Sequence, residues 1–363
     1  MSGIFLHVRQ GFEADAEAEL SSRLSDIGIE PVRIRGVDDS AYIIADLDDA
    51  SLTRAREQLE FRDLIFARQL LWTTSVIEIP DSGDRAGVLI DALSKSQLPF
   101  LGANAYSSLS LETPDTDTAK ELSAWCKSLS RPVDRDLNKL KLLPKGKGAA
   151  HLPRAHVVFV DSRRAYVAFS DPANSSPWVM GIPRLKFPAD APSRSTLKLE
   201  EAFLVFLGSE CLPDALKPGM TGVDLGACPG GWTYQLVKRG IQTTAVDNGS
   251  MDSKLMSSGL VIHCREDAFK FRPLETVDWL VCDVVEQPSR IAELMGEWLS
   301  RGFCDKAVFN LKLPMKKRFE EVEQCLATLT QQCADAGKHL TIKAKQLYHD
   351  RKEITVFASV INH

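Results

Sequence analysis

Residues 223–232 read VDLGACPGGW, a short apolar strand that runs into a glycine-rich turn and then into a helix. Glycine in such a turn lets the backbone approach a bound ligand closely. Twenty-one residues after Gly226, Asp247 ends the next predicted strand, where a carboxylate can accept hydrogen bonds from both hydroxyls of a ribose. A dinucleotide fold would carry G-x-G-x-x-G, whereas this turn reads G-x-x-x-G-G with Pro229 inside it. The turn indicates a nucleoside-cofactor site, and a purely structural turn is the alternative.

Strands and helices alternate along the chain on both sides of this turn. Helices are predicted at 232–239, 288–300 and 315–336. Strands are predicted at 221–225, 242–246, 260–263, 279–282, 306–311, 339–345 and 353–360. This rhythm is typical of a doubly wound, mostly parallel sheet with its ligands at the carboxyl ends of the strands. The last two strands are joined by residues 346–352, too few for a parallel crossover, so they are expected to pair antiparallel.

The N-terminal half has a different organisation, that of a mixed α+β structure. A strand-helix-strand-strand-helix order is predicted for residues 1–60, and further strands and helices follow, including a helix at 118–129. Five prolines lie within 171–194 and favour an extended interdomain connection there. We therefore predict domains at 1–60, 61–185 and 190–363.

Length and composition set the class of protein. The chain has 363 residues, 44% hydrophobic and 26% charged, which is typical of a globular protein of two or three domains. Its apolar runs are far shorter than the roughly 20 residues that cross a bilayer, and no secretory signal is readable, so a cytoplasmic protein is expected. Eight cysteines without a C-x-x-C pair indicate reduced thiols and no structural metal.

The net charge of -5 conceals an uneven distribution. Residues 1–60 carry 13 Asp+Glu against 6 Lys+Arg, whereas residues 131–200 carry 13 Lys+Arg against 6 Asp+Glu. The basic segment is either a solvated face or a surface that contacts nucleic-acid phosphates. If it contacts RNA, charge reversal at Lys145 and Lys147 should weaken binding and flatten its salt dependence.

Several charged residues are predicted at the same edge of the C-terminal sheet. Asp267 follows the third strand, Asp283 and Lys312 end the fourth and fifth, and Glu353 opens the antiparallel last strand. Lys198 is expected just before the first helix of this domain. Each residue alone is most simply a surface charge, but three charged strand ends beside a cofactor turn indicate a reactive centre.

These residues and motifs resemble a known family. The turn, with the spaced Lys, Asp, Lys and Glu, is similar to the RrmJ/FtsJ-type 2′-O-ribose methyltransferases. Segments 194–202, 310–316 and 346–351 resemble more particularly the RlmM-type bacterial 23S rRNA cytidine 2′-O-ribose methyltransferases. The resemblance implies a Rossmann-like class I methyltransferase domain, seven-stranded with the last strand antiparallel, and an N-terminal α+β ferredoxin-like and THUMP portion that binds RNA.

The resemblance also implies the cofactor, the substrate and the roles of residues. S-adenosylmethionine would donate the methyl group, and a cytidine in the peptidyl-transferase loop region of 23S rRNA would receive it. Lys312 would be the general base, with Lys198, Asp283 and Glu353 completing a catalytic tetrad. Asp247 would hold the ribose and Asp267 the adenine amino group. The residues implied to line the cofactor pocket are Ser195, Gly226, Cys228, Pro229, Gly230, Gly231, Asp247, Asp267 and Asp283.

A free lysine has a pKa of about 10.4, so a lysine base needs its pKa lowered by burial or by a neighbouring cation. Lys198 could be that cation, while Asp283 and Glu353 would oppose the shift. The sequence leaves open which effect is stronger.

Two other classes of function compete with this one. A nicotinamide-dependent oxidoreductase is disfavoured by the missing dinucleotide motif, and a non-catalytic RNA-binding module is disfavoured by the intact tetrad. Methylation of an exocyclic amine or of a pyrimidine carbon is disfavoured because 283–286 reads DVVE and no Pro-Cys nucleophile pair is present. The rRNA substrate could be naked or within a ribosomal precursor, and a monomer is the default expectation.

Overall fold

The computed structural model describes residues 2–31, 33–96, 105–144, 146 and 149–361. The chain divides into two compact units, one ending at Pro183 and one beginning at Arg184. The division lies within the proline-containing stretch that the sequence predicts to be a connection. No helix in the described part of the chain is long and apolar enough to span a membrane.

The N-terminal unit contains one seven-stranded sheet flanked by helices. Its strands are β1 (Gly3–His7), β2 (Arg33–Gly36), β3 (Tyr42–Asp46), β4 (Gln69–Glu78), β5 (Ser108–Glu112), β6 (Arg154–Phe159) and β7 (Arg164–Ser170). Its helices are α1 (Glu13–Asp26), α2 (Asp49–Gln58), α3 (Arg85–Lys95) and α4 (Ser123–Lys139). The strand order is β2-β3-β1-β4-β7-β6-β5. Because β4 pairs with both β1 and β7, strands from the predicted domains 1–60 and 61–185 share this sheet, and the boundary between those domains stays a prediction.

Helix α4 differs from the sequence prediction. The predicted helix at 118–129 is a 3₁₀ turn at Thr118–Leu122 followed by α4, which continues through Pro132 to Lys139. Proline inside a helix removes a backbone donor and commonly ends the helix. Here the apolar face continues beyond the proline, since Val133 and Leu137 are buried in the core of this unit. The burial of these two residues therefore outweighs the local cost of a proline inside the helix.

A buried polar cluster ties together the strands at one edge of this sheet. His156 Nδ1 lies 2.7 Å from Glu112 Oε1 and His156 Nε2 lies 2.9 Å from Ser170 Oγ. Burial raises the pKa of Glu112, but the interactions with His156 and His7 together lower it by more, so the pKa lies below its usual range. A serine-histidine-carboxylate arrangement can activate a nucleophile. All three side chains belong to residues at most 3% exposed and are hydrogen-bonded to one another, so the cluster is structural.

The C-terminal unit is an α/β domain around a second seven-stranded sheet. Its strands are β8 (Thr221–Leu225), β9 (Gln242–Val246), β10 (Val261–Cys264), β11 (Val277–Cys282), β12 (Cys304–Lys312), β13 (Leu340–Lys345) and β14 (Glu353–Val360). Its helices are α5 (Thr196–Leu207), α6 (Leu212–Ala215), α7 (Gly231–Val237), α8 (Ser253–Met256), α9 (Pro288–Ser300) and α10 (Arg318–Asp335). The strand order is β10-β9-β8-β11-β12-β14-β13, and β14 runs antiparallel to both of its neighbours. The predicted doubly wound sheet with an antiparallel last hairpin is confirmed.

Helix α5 packs against this sheet through aromatic side chains. The ring of Phe203 contacts that of Trp279 on β11 edge to face, with centroids 5.6 Å apart, and Trp279 in turn contacts Phe357 on β14. Helix α5 begins at Thr196, and its buried positions Leu199, Phe203 and Phe206 recur at helical spacing. The prediction that Lys198 precedes this helix is therefore wrong, because Lys198 lies in its first turn.

Candidate active site

Four charged side chains meet at the carboxyl edge of the C-terminal sheet. Asp283 directly follows β11, Lys312 is the last residue of β12, and Glu353 is the first residue of β14. The antiparallel register places Lys312 opposite Glu353. Lys198 reaches the same place from the first turn of α5, as its contacts show. The predicted convergence of these strand ends is therefore present in the structure.

The four side chains form a closed set of alternating charges. Lys312 Nζ lies 3.1 Å from Asp283 Oδ1, and Lys198 Nζ lies 3.3 Å from Asp283 Oδ2. Both ammonium groups also contact Glu353, each through a different carboxylate oxygen. The Glu353 side chain is only 4% exposed, whereas that of Lys312 is 25% exposed. Lys312 is therefore the member of the set most open to a substrate.

The structure of the free protein shows whether burial or the neighbouring carboxylates dominate the pKa of Lys312. Burial lowers the pKa of Lys312, but attraction to Asp283 and Glu353 raises it by more, so the net pKa lies above the usual lysine value. The carboxylates therefore prevail over desolvation, and Lys312 is an ammonium ion at neutral pH. A reaction that needs the neutral amine should accelerate as the pH rises.

A buried polar layer that was not predicted from the sequence lies behind the four charges. Asn310 Nδ2 donates to Asp283 Oδ1 over 2.8 Å, and Thr355 Oγ1 lies 2.7 Å from Asn310 Oδ1. Asp350 lies 3.0 Å beyond Thr355 Oγ1. All three members of this layer, Asn310, Thr355 and Asp350, are buried. The available signal was polar residues at strand positions whose neighbours are apolar, such as Asn310 between Phe309 and Leu311.

The glycine turn at the end of β8 is shaped for close approach. Gly230 has a φ of +118°, in the left-handed region that favours glycine, and it is the N-cap residue that precedes α7. A side chain at Gly231 would clash with Ser195 Oγ and Ser193 Oγ. Both serine hydroxyl groups therefore lie against Gly231, so the predicted pocket residue Ser195 lies beside the turn.

Asp247 is joined to the same turn. Its Oδ2 accepts from the backbone N–H of Cys228 over 3.0 Å, and its Oδ1 accepts from that of Gly249 over 2.7 Å. The Cys228–Pro229 peptide bond is cis. Each carboxylate oxygen keeps lone pairs beyond these bonds, so Asp247 is oriented by the turn and can still accept from ribose hydroxyls.

A further carboxylate, Asp224, lies buried on β8 under the turn. Thr233 Oγ1 donates to its Oδ2 over 2.6 Å, while its Oδ1 is buried and has no hydrogen-bond partner among the described residues. Burial raises the pKa of Asp224 to about 7, and Asp283 and Asp247 add repulsion. A buried acceptor without a partner is costly unless a ligand satisfies it. Together with Ser195 and Asp247, this free oxygen fits a nucleoside cofactor that also carries a hydrogen-bond donor.

Among the described residues, the side chain of the predicted pocket residue Asp267 has no hydrogen bond to the glycine turn or to Asp247. It is exposed, and its Oδ1 accepts from the backbone N–H of Phe269 over 2.9 Å, a contact within its own turn. Its predicted role toward an adenine amino group stays a prediction.

The basic segment of the sequence is partly neutralised by local ion pairs. Arg135 and Lys139 both contact Asp136, at 3.1 and 2.7 Å, and this pairing lowers the pKa of Asp136 to about 2. The predicted phosphate contacts Lys145 and Lys147 lie outside the described residues. The RNA-binding role of this segment stays a prediction.

Three family models match the chain. Residues 1–71 match the RlmM ferredoxin-like domain, and residues 84–171 match the N-terminal domain of ribosomal RNA large subunit methyltransferase M. Residues 191–340, which hold the glycine turn and three of the four converging charges, match FtsJ-like methyltransferase. The resemblance inferred from the motifs is thereby confirmed.

Curated relatives match over nearly the whole chain. The ribosomal RNA large subunit methyltransferase M of Actinobacillus pleuropneumoniae serotype 5b is 44% identical, with 99% of each chain covered. The protein of the same name from Methylococcus capsulatus is 46% identical, again with 99% of each chain covered. A third, from Haemophilus influenzae strain PittEE, is 46% identical over 98% of each chain. The likeness therefore includes both structural units.

Proposed function

This chain belongs to the ribosomal RNA large subunit methyltransferase M family, and we propose that it transfers a methyl group from S-adenosylmethionine to the ribose 2′-oxygen of a cytidine in 23S rRNA. Family membership makes it an FtsJ-like rRNA methyltransferase and favours this activity over the oxidoreductase and the non-catalytic module. The observation that carries the 2′-O assignment is the set of Lys198, Asp283, Lys312 and Glu353 at the edge that also holds the glycine turn.

The residues of the turn fit this cofactor by their chemistry. Asp247 would accept from the ribose hydroxyls, and the unpartnered Oδ1 of Asp224 would be satisfied by a donor of the bound cofactor. Ser195 and the backbone of Cys228 to Gly231 would line the pocket. When bound, S-adenosylmethionine supplies a methyl group already activated by its sulfonium charge.

The work left for the protein is to position the 2′-hydroxyl and to take its proton. Lys312 is the proposed acceptor because it is the most exposed of the four converging charges. Only its neutral form can accept a proton, and Asp283 and Glu353 keep that form scarce in the free protein. RNA docking over the exposed quarter of the Lys312 side chain would exclude water and so lower its pKa toward the working range.

The experiment is transfer of labelled methyl from S-adenosylmethionine to unmodified 23S rRNA, followed by nuclease mapping and alkaline hydrolysis. A single alkali-resistant linkage at a cytidine is the expected product. Label on a base would contradict the 2′-O assignment.

The base assignment is tested by Lys312→Ala. We expect methyl transfer to fall by roughly 10²- to 10⁴-fold, the usual contribution of a positioned general base, with cofactor and RNA affinity retained. Lys217→Ala, at an exposed lysine paired with Asp214, is the matched control and should be active. An equal loss of RNA affinity and rate in Lys312→Ala would remove the support for a base.

A further inference from the structure

The connection between β13 and β14 holds a buried carboxyl group that the proposed reaction does not use. Asp350 is 1% exposed. Its Oδ2 accepts from the backbone N–H of Leu347 over 3.0 Å. Thr355 Oγ1 lies 3.0 Å from Asp350 Oδ2 and 3.2 Å from Asp350 Oδ1. A carboxyl group this deeply buried needs either a balancing charge or a bound proton.

The hydrogen atoms available in the layer of Asn310, Thr355 and Asp350 show that Asp350 carries a bound proton. The Asn310 amide is oriented by Asp283, because its Nδ2 donates to Asp283 Oδ1 and the reverse orientation would set two acceptors against each other. Asn310 Oδ1 therefore faces Thr355 Oγ1 at 2.7 Å and must receive the hydroxyl proton of Thr355. A hydroxyl has one proton, so Thr355 has none left for Asp350. The contact between Thr355 and Asp350 then requires a proton on the carboxyl group.

We propose that Asp350 is a neutral carboxylic acid and acts as a positioning residue for Asp283, through Thr355 and Asn310. The inference rests on the proposed function, since Asp283 is a member of the catalytic set. Ionised Asp350 would draw the Thr355 hydroxyl toward itself and leave Asn310 Oδ1 without its donor. Asp283 would then lose the oriented amide that holds the oxygen contacting Lys312.

The charges around Asp350 agree with a bound proton. Burial is the main cause that raises its pKa well above the usual aspartate value, and Glu353 on β14 and Glu201 on α5 add repulsion. Lys198 on α5 acts in the opposite direction, with a smaller effect. The carboxyl group thus faces two acidic residues and one basic residue.

The connection is held in place by Glu201 as well as by the bond between Asp350 and Leu347. Glu201 accepts from the backbone N–H groups of Tyr348 and His349 over 2.8 and 2.9 Å, and it contacts His349 Nδ1 at 2.6 Å. Glu201 lies one turn along α5 from Lys198, so the helix that supplies a catalytic lysine also anchors this connection. A change confined to Asp350 should therefore leave the connection folded.

The test compares Asp350→Asn with Asp350→Ala and Thr355→Val. An asparagine amide can donate to Thr355 and accept from Leu347 as the protonated acid does, so Asp350→Asn should keep kcat within about threefold of the natural protein. The other two variants break the chain of hydrogen bonds and should lower kcat by about tenfold or more, with the KM for S-adenosylmethionine unchanged. Thermal unfolding establishes that each variant is folded.

A second measurement does not depend on activity. The infrared difference spectrum between the natural protein and Asp350→Asn should contain the carbonyl stretch of a protonated carboxyl group at neutral pH. Absence of that band, or an Asp350→Asn variant as impaired as Asp350→Ala, would overturn the proposal. If the natural protein does not methylate a ribose, the proposed function fails instead, and the infrared band still reports the proton on Asp350.

Discussion

Removing the charge of Asp283 should move the pH dependence of methyl transfer to lower pH. Asp283 lies 3.1 Å from Lys312 Nζ and is the larger of the two attractions that raise the pKa of Lys312. A rate that needs the neutral amine rises as pH increases toward that pKa. In Asp283→Asn the pKa falls, so the rising limb shifts toward acid while the maximal rate decreases because Lys198 and Lys312 lose a shared anchor.

The size of the shift follows from the separation of the charges. Two unit charges 3.1 Å apart attract by about 1.3 kcal/mol in bulk water and by about 5 kcal/mol at the effective dielectric of roughly 20 found near protein surfaces. A quarter of the Lys312 side chain is exposed, so the value in water is the lower bound. Since one pKa unit corresponds to about 1.4 kcal/mol, the limb should move by at least about one pH unit.

The assay is kcat/KM for methyl transfer from pH about 7 to about 11, because kcat/KM reports groups of the free enzyme and the bend of the profile must be seen to separate a shift from a lower maximal rate. The matched control is Glu286→Gln, three residues along the same connection, whose carboxylate contacts Arg290 at 2.6 Å. It should leave the limb in place. If the rising limb of the pH profile of Asp283→Asn stays where it is in the natural protein, or moves to higher pH, Lys312 is not the titrating base.

Two other variants test the cofactor turn and the surface beside it. Asp224 has a pKa raised to about 7, so the folded state keeps a proton that the unfolded state releases near pH 4, and the free energy of unfolding falls as pH rises between these values. Asp224→Asn should remove a destabilisation of up to roughly 4 kcal/mol, raise Tm at pH 8 and weaken S-adenosylmethionine binding; a lower Tm would contradict this. The double variant Lys316→Gln with Lys317→Gln changes two exposed residues after β12 and should reduce the slope of log affinity for rRNA against log salt concentration by up to about 2. Cofactor affinity should be unchanged. An unchanged slope would show that these lysines contact solvent alone.

The C-terminal fold was predictable because its signals are local. Short apolar strands separated by helices specify the sheet, and the seven-residue connection between the last two strands excludes a parallel crossover. The bounds of β8, β9 and β14 agree with the prediction. Once the sheet is known, the meeting of Asp283, Lys312 and Glu353 follows from the positions of the strand ends.

What could not be predicted depends on contacts between distant parts of the chain. Asn310 meets Thr355 because the antiparallel register pairs these two positions, and no local pattern reveals that register. Helix α4 continues past Pro132 because residues beyond the proline are buried in the core. The sign of the Lys312 pKa shift depended on burial and charge acting in opposite directions, which only the geometry could decide.

The antiparallel course of β14 makes the length of one surface connection critical. Loops usually tolerate insertions and deletions, and most connections of this domain carry none of the four converging charges. The connection between β13 and β14 is different, because Glu353 begins the strand immediately after it and alternate residues of a strand face opposite sides of the sheet. Adding or removing a single residue there would turn Glu353 away from both lysines and Thr355 away from Asn310. This connection therefore works as a spacer of fixed length, and a library of insertions should find that it tolerates no change in length, unlike the loops that carry neither the cofactor turn nor a converging charge.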